Sequence, residues 1–181
     1  MNPTTDTSNN MNELSFVKDA LQSNKLVFES LLRGASPALQ DFREGPEKWS
    51  LKEIVCHLLD EEREDFRFRL QSVLNDPEQP FTPIDPVGWV VSRNYSAADY
   101  NQKVQQFLEE RTHSIKYVES LSNDSPFSNT YQHPVIGPMS GSFILNNWLA
   151  HDYLHIRQII RVKYAFLAGS INTPLNYAGE W

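Results

Sequence analysis

The chain has 181 residues, 40% of them hydrophobic and 12% aromatic, which suits one folded domain with a substantial core. A net charge of -7 and a pI near 5.2 set a repelling average field against a phosphate backbone, and no run of Lys and Arg relieves it, so nucleic-acid binding is disfavoured. A mean hydropathy of -0.49 without a long apolar run excludes a membrane-spanning helix, and the lone Cys56 cannot form an internal disulfide, so a cytoplasmic location is expected.

Residues 1–10 are polar, carry Pro3 and lack the apolar stretch of a secretory signal; they read as a flexible tail ahead of one domain over 11–181. The first helix is expected from Asn12 to Arg33, where Leu14, Val17, Leu21, Phe28, Leu31 and Leu32 share a face and Gly34 stops the run. The second is expected from Ser50, which forms a capping box with Glu53, through Leu51, Ile54, Val55, Leu58, Phe66 and Leu70 to Leu74. A segment with Pro77, Pro80, Pro83 and Pro86 follows, long enough to cross the end of a bundle, with Val87 to Val91 as a short extended piece. The third helix is expected from Ser96 to Leu121, with Val104, Phe107, Leu108, Ile115 and Val118 in its stripe. A second Pro-rich connection reaches Gly141, and a fourth helix runs from Ser142 to Phe166, ahead of Gly169. Trp89, Phe81, Tyr131 and His133 should fold the two connections back onto the helices. Four amphipathic helices without useful period-two alternation predict an all-α four-helix bundle.

The chemistry lies in the second and fourth helices. His151 and His155, four residues apart, emerge from one helical face and can converge on one ion. They occupy the stripe Ile144, Trp148, Ile159 and Val162, so they point inward, as does His57 between Ile54 and Glu61. A single histidine on an apolar face is more often a hydrogen-bonded core residue. Three buried together are harder to satisfy, because each neutral ring carries a donor and an acceptor, and an unpaired one costs about 1–3 kcal/mol. Glu61, one turn beyond His57, is a candidate base, ligand-orienting partner or fourth ligand, against the alternative of a solvated acidic face. Asp152 should point sideways, Gln158 to a polar rim, His113 to the surface and His133 into a turn. Cys56, turned about 100° from His57, should be a buried inert thiol.

The segments Trp49-Ser50-Leu51-Lys52-Glu53-Ile54-Val55-Cys56-His57-Leu58-Leu59-Asp60-Glu61-Glu62 and Trp148-Leu149-Ala150-His151-Asp152-Tyr153-Leu154-His155-Ile156-Arg157-Gln158 resemble the two signature regions of the DinB/YfiT-like superfamily. The loop from His133 to Ser140 is similar as well. The resemblance implies a four-helix bundle with a long crossover between its second and third helices, often a homodimer. It also implies a metal triad of His57, His151 and His155, and relatives that include transferases and isomerases using low-molecular-weight thiols. Tyr117 and Phe166, read as exposed, point to a homodimer contact, with ordinary packing as the alternative. Three histidines leave a coordination position open for a water or thiol, so a small-molecule transferase or hydrolase holding zinc or nickel is expected. The alternative is a non-catalytic, stress-related metal-binding module acting through protein contacts.

Overall fold

The computed structural model describes residues 7–179, so residues 1–6 of the expected tail lie outside the described residues. Helix α1 (Thr7–Leu32) begins inside that tail. Ser36 accepts the Leu39 N–H and Pro37 pre-sets the first turn of a short α2 (Pro37–Asp41), an element without an apolar stripe to announce it. Ser50 and Glu53 form the expected capping box at α3 (Leu51–Asp60). The rod then departs from a plain α-helix: Glu61–Phe66 is a π-helical segment, after which α4 (Arg67–Asn75) resumes.

The Pro-rich crossover does not hold the expected extended piece. The Asp85 carboxylate accepts the Gly88 N–H and the Asp85 carbonyl accepts the Trp89 N–H, which winds the chain into a one-turn α5 (Trp89–Ser92). Arg93 pins this segment to the rod. Its guanidinium forks onto both Glu64 oxygens at 2.8 Å and lies 3.9 Å from the centre of the Trp89 ring, while the Tyr95 hydroxyl donates to Asp60 at 2.7 Å. The third long helix, α6 (Tyr100–Ser120), starts later than expected. Residues 95–97 make a 3-10 turn that ends at extended Ala98, so Asp99 rather than Ser96 is the cap. Strands β1 (Thr130–His133) and β2 (Gly137–Ser140) pair antiparallel, and Gly137 at φ +87° makes the turn between them. They were not expected, because four residues are too few for alternation to show. Ser140 caps α7 (Gly141–Ser170), which passes through Gly169.

The four long rods are the bundle, and two hydrophobic cores fill its ends. One joins Leu14, Val17 and Leu21 of α1 with Leu70 and Val73 of α4, Ile115 and Val118 of α6, and Ile144 and Trp148 of α7. The other joins Phe28 and Leu32, Leu51 to Leu59, Val104 and Phe107, and Ile159 and Val162. The order of these residues gives the directions. The rod α3–α4 and α6 run the same way, antiparallel to α1 and α7. Two consecutive parallel rods need a link as long as the bundle, which is what the crossover from 76 to 99 supplies. Phe81 and Trp89 are buried in it, as expected. Tyr117 and Phe166 are not free surface: Tyr117 packs on the first core, and the Phe166 ring lies 5.4 Å from that of Phe42.

Candidate metal centre

A polar layer separates the two cores at the waist of the bundle, and the histidines belong to it. His57 stands among the buried apolar residues of α3, between Ile54 and Leu58, and His151 and His155 stand between Trp148 and Ile159 on α7. Their Nε2 atoms form a triangle, 3.1 Å between 151 and 155, 3.2 Å between 57 and 155, and 3.4 Å between 57 and 151. A tetrahedral ion with bonds of about 2.0–2.1 Å to nitrogen separates its ligand atoms by about 3.3–3.4 Å, so the triangle fits one. His57 and His155 are buried and His151 is half-buried.

Electrostatics favour lone pairs over protons here. Burial, then the neighbouring imidazole of His155, push His57 down to about 3; burial, His155, His57 and Arg111 push His151 to about 2; burial lowers His155 too. All three rings are therefore neutral near pH 7. His155 Nδ1 lies 2.8 Å from Gln158 Oε1, which can only accept, so the proton sits on Nδ1 and Nε2 is bare. His57 Nδ1 is buried without a partner among the described residues. With Nε2 of His155 bare, a proton on one neighbouring ring could satisfy only part of the triangle, whereas one cation answers all three converging nitrogens. Ring walls flank the triangle: Trp49 lies 4.8 Å from His57 and Phe66 4.8 Å from His151.

The rest of the layer is charged. Arg111 of α6, 1% exposed, forks onto Asp152 with two hydrogen bonds of 2.6 Å, and its Nε sits 2.8 Å from Glu62. Asn24 of α1 donates to Asp152 at 3.1 Å, and the Trp148 indole donates to Glu62 at 3.1 Å. Asp152 is thus fully buried, where a sideways polar position was expected, because α6 offers it a guanidinium. The π-helical segment makes this possible. Its extra residue per turn carries adjacent Glu61 and Glu62, and then Asp65, all inward.

Glu61 does lie one turn beyond His57, but its carboxyl is directed to Asp65, which also pairs with Arg69 at 2.8 Å. Among the described residues, the ligand group that could hold an ion contains His57, His151 and His155 alone. His133 accepts the Val135 and Ile136 N–H groups as a turn residue, His113 is exposed, and burial raises the Cys56 thiol to about 11, which keeps it inert. Arg111 and Phe66 carried no signal in the sequence beyond their places on helices, and Trp49 none beyond its place just before the Ser50 cap.

A four-rod bundle with two parallel consecutive rods and three convergent imidazoles at its waist defines a class, and comparison with known proteins gives the family. The profile of the DinB superfamily matches residues 20–159, and the chain belongs to that family. Among solved structures it is similar to YfiT from Bacillus subtilis, described as a probable metal-dependent hydrolase with an unusual four-helix bundle topology. The TM-score is 0.75 at 16% identity, over 84% of this chain and 87% of that one. No curated protein matches the chain.

Proposed function

We propose that the protein is a metal-dependent enzyme acting on a small molecule, by hydrolysis or thiol-dependent transfer, with one divalent transition ion held by His57, His151 and His155. One observation carries this reading: three imidazoles, one of them 94 and 98 residues from the other two in the chain, bring their Nε2 atoms within 3.1–3.4 Å of one another. Membership of the DinB superfamily and the description of YfiT as a probable metal-dependent hydrolase support it. Zinc and nickel both suit imidazole donors. Bound with three protein ligands, such an ion keeps an open position and supplies a Lewis acid that lowers the pKa of a water or a low-molecular-weight thiol.

The chain's own residues prepare that chemistry. Gln158 fixes the His155 tautomer so that Nε2 faces the triangle. Trp49 and Phe66 keep bulk water from the ligand rings. Burial and then the Asp65 charge raise Glu61 to about 8, which makes it a group able to exchange a proton near neutral pH. The test is elemental analysis of protein purified without an affinity tag. We expect about one equivalent of metal per chain in the wild type and its loss in His155→Ala. Equal metal in both would remove His155 from the ligand set and sink the reading. Assay of the loaded protein on activated esters, with and without a small thiol, then separates hydrolysis from transfer.

A further inference from the structure

The flank of α7 next to the histidines has a charge pattern at odds with the rest of the chain. From Tyr153 to Gly179 there is no acidic residue, while Arg157, Arg161 and Lys163 occur within seven positions of a protein whose net charge is -7. Lys163 is spoken for, since it donates to the Leu31 carbonyl at 2.8 Å. Arg161 pairs at 2.9 Å with Glu44, from the segment between α2 and α3, in an exposed contact of small energetic value. Arg157 is exposed and makes no hydrogen bond or ion pair among the described residues.

These arginines border a cavity of about 780 Å³, lined among the described residues by Leu154, His155, Arg157, Gln158 and Arg161. On a helix turning 100° per residue, Gln158 and Leu154 fill the arc between His155 and the Arg157–Arg161 face. The cavity therefore opens on a triangle histidine at one side and on two guanidiniums at the other, with apolar Leu154, 54% exposed, between them. A guanidinium offers a planar fork of donors that matches the oxygens of a carboxylate, phosphate or sulfonate. We propose that this cavity is the substrate subsite and takes a small organic anion, its apolar body over Leu154 and its anionic end on Arg157, with Arg161 in support. The inference rests on the metal-enzyme reading for its link to catalysis, and on the cavity alone for anion binding.

The test uses two fluorescent probes that share an aromatic body, the sulfonate 8-anilinonaphthalene-1-sulfonate and the neutral N-phenyl-1-naphthylamine, titrated into full-length protein with and without zinc. The wild type should prefer the sulfonate. Arg157→Gln, at an exposed position that folding tolerates, should weaken the sulfonate about tenfold and leave the neutral probe unchanged. Leu154→Glu should weaken both probes and the sulfonate more. Equal affinity for the two probes in the wild type, or an unchanged sulfonate affinity in Arg157→Gln, would overturn the subsite. So would a dimer that excludes both probes and dissociates in Leu154→Glu, since a second copy would then fill the groove. Sulfonate preference without zinc uptake would leave the subsite standing and defeat the metal reading; zinc uptake with indifferent probes would do the reverse.

Discussion

At the scale of single residues, the buried carboxyls of the waist make the sharpest prediction. Glu61 and Asp65 lie one turn apart in a dry layer, and two negative charges there cannot both be maintained, so Glu61 keeps a proton and hydrogen-bonds Asp65, whose own carboxyl is also raised by burial against the opposing pull of Arg69. Glu61 titrates ordinarily at 4.5 and is raised to about 8 in the fold, first by burial. Between those values the folded chain holds a proton that the unfolded chain has released. Stability must therefore fall as pH rises through this window. Glu61→Gln keeps a donor toward Asp65 and carries no such proton. The melting temperature of the metal-free wild type should lose ground to Glu61→Gln steadily from pH 5 to pH 8; parallel curves for the two proteins would show that Glu61 is ionised throughout. The sequence showed where Glu61 stands relative to His57 but not the direction of its carboxyl, because that depends on Asp65, which a plain α-helix would place differently from the π turn.

At the scale of elements, the waist is a meeting of four rods, each of which replaces core positions by polar residues, one on α1 and more on each of the others. On α1 the apolar stripe runs from Leu21 to Phe28 with Asn24 between them, and on α6 from Leu108 to Ile115 with Arg111 between them, each at helical spacing from its neighbours. Those gaps were visible in the sequence, and read jointly with His57 and the 151–155 pair they predict a polar layer. Read helix by helix they look like ordinary interruptions, since nothing in a single stripe says that the four gaps fall at one level. The hairpin and the π turn were not legible for a different reason: a four-residue strand and a one-residue insertion leave no period to detect. Arg111 is the element-scale link, since it joins α6 both to Asp152 on α7 and to Glu62 on the π turn, where Ser114 of α6 also hydrogen-bonds Glu62. Removing one partner of a buried ion cluster leaves the others uncompensated, so Arg111→Ala should cost about 3–5 kcal/mol in urea denaturation of the metal-free protein. Arg111→Lys, with the charge but not the fork, should cost less. A loss below about 1 kcal/mol in Arg111→Ala would mean that the cluster contributes little to holding the rods together.

At the scale of the whole molecule, the two cores are independent enough for one end to be perturbed without touching the waist. The first core closes at Gly141, where the end of α4, the segment after α6 and the start of α7 converge. Gly141 donates to the Asn129 carbonyl at 3.2 Å, Ser142 to that of Phe127 at 3.3 Å, and the Asn129 side chain to that of Leu74 at 3.3 Å. A methyl group at 141 would sit 2.8 Å from Leu74 Cδ2 and 3.1–3.2 Å from the Phe127 backbone. Leu74 has rotamers to retreat into, whereas the Phe127 backbone is fixed by the same hydrogen bonds that build the joint. Alanine normally favours a helix over glycine by about 1 kcal/mol. Overpacking against an immovable backbone costs about 1–3 kcal/mol, so the clash should win. Gly141→Ala is therefore expected to lower stability while leaving zinc uptake of the folded protein unchanged, because His151 lies nearly three helical turns away beyond Trp148. A variant with raised stability would show that α7 can slide at its N-terminus. Loss of zinc uptake at unchanged stability would show that the two ends of the bundle are coupled through α7, and that the waist is set by the register of that helix rather than by the Arg111 cluster.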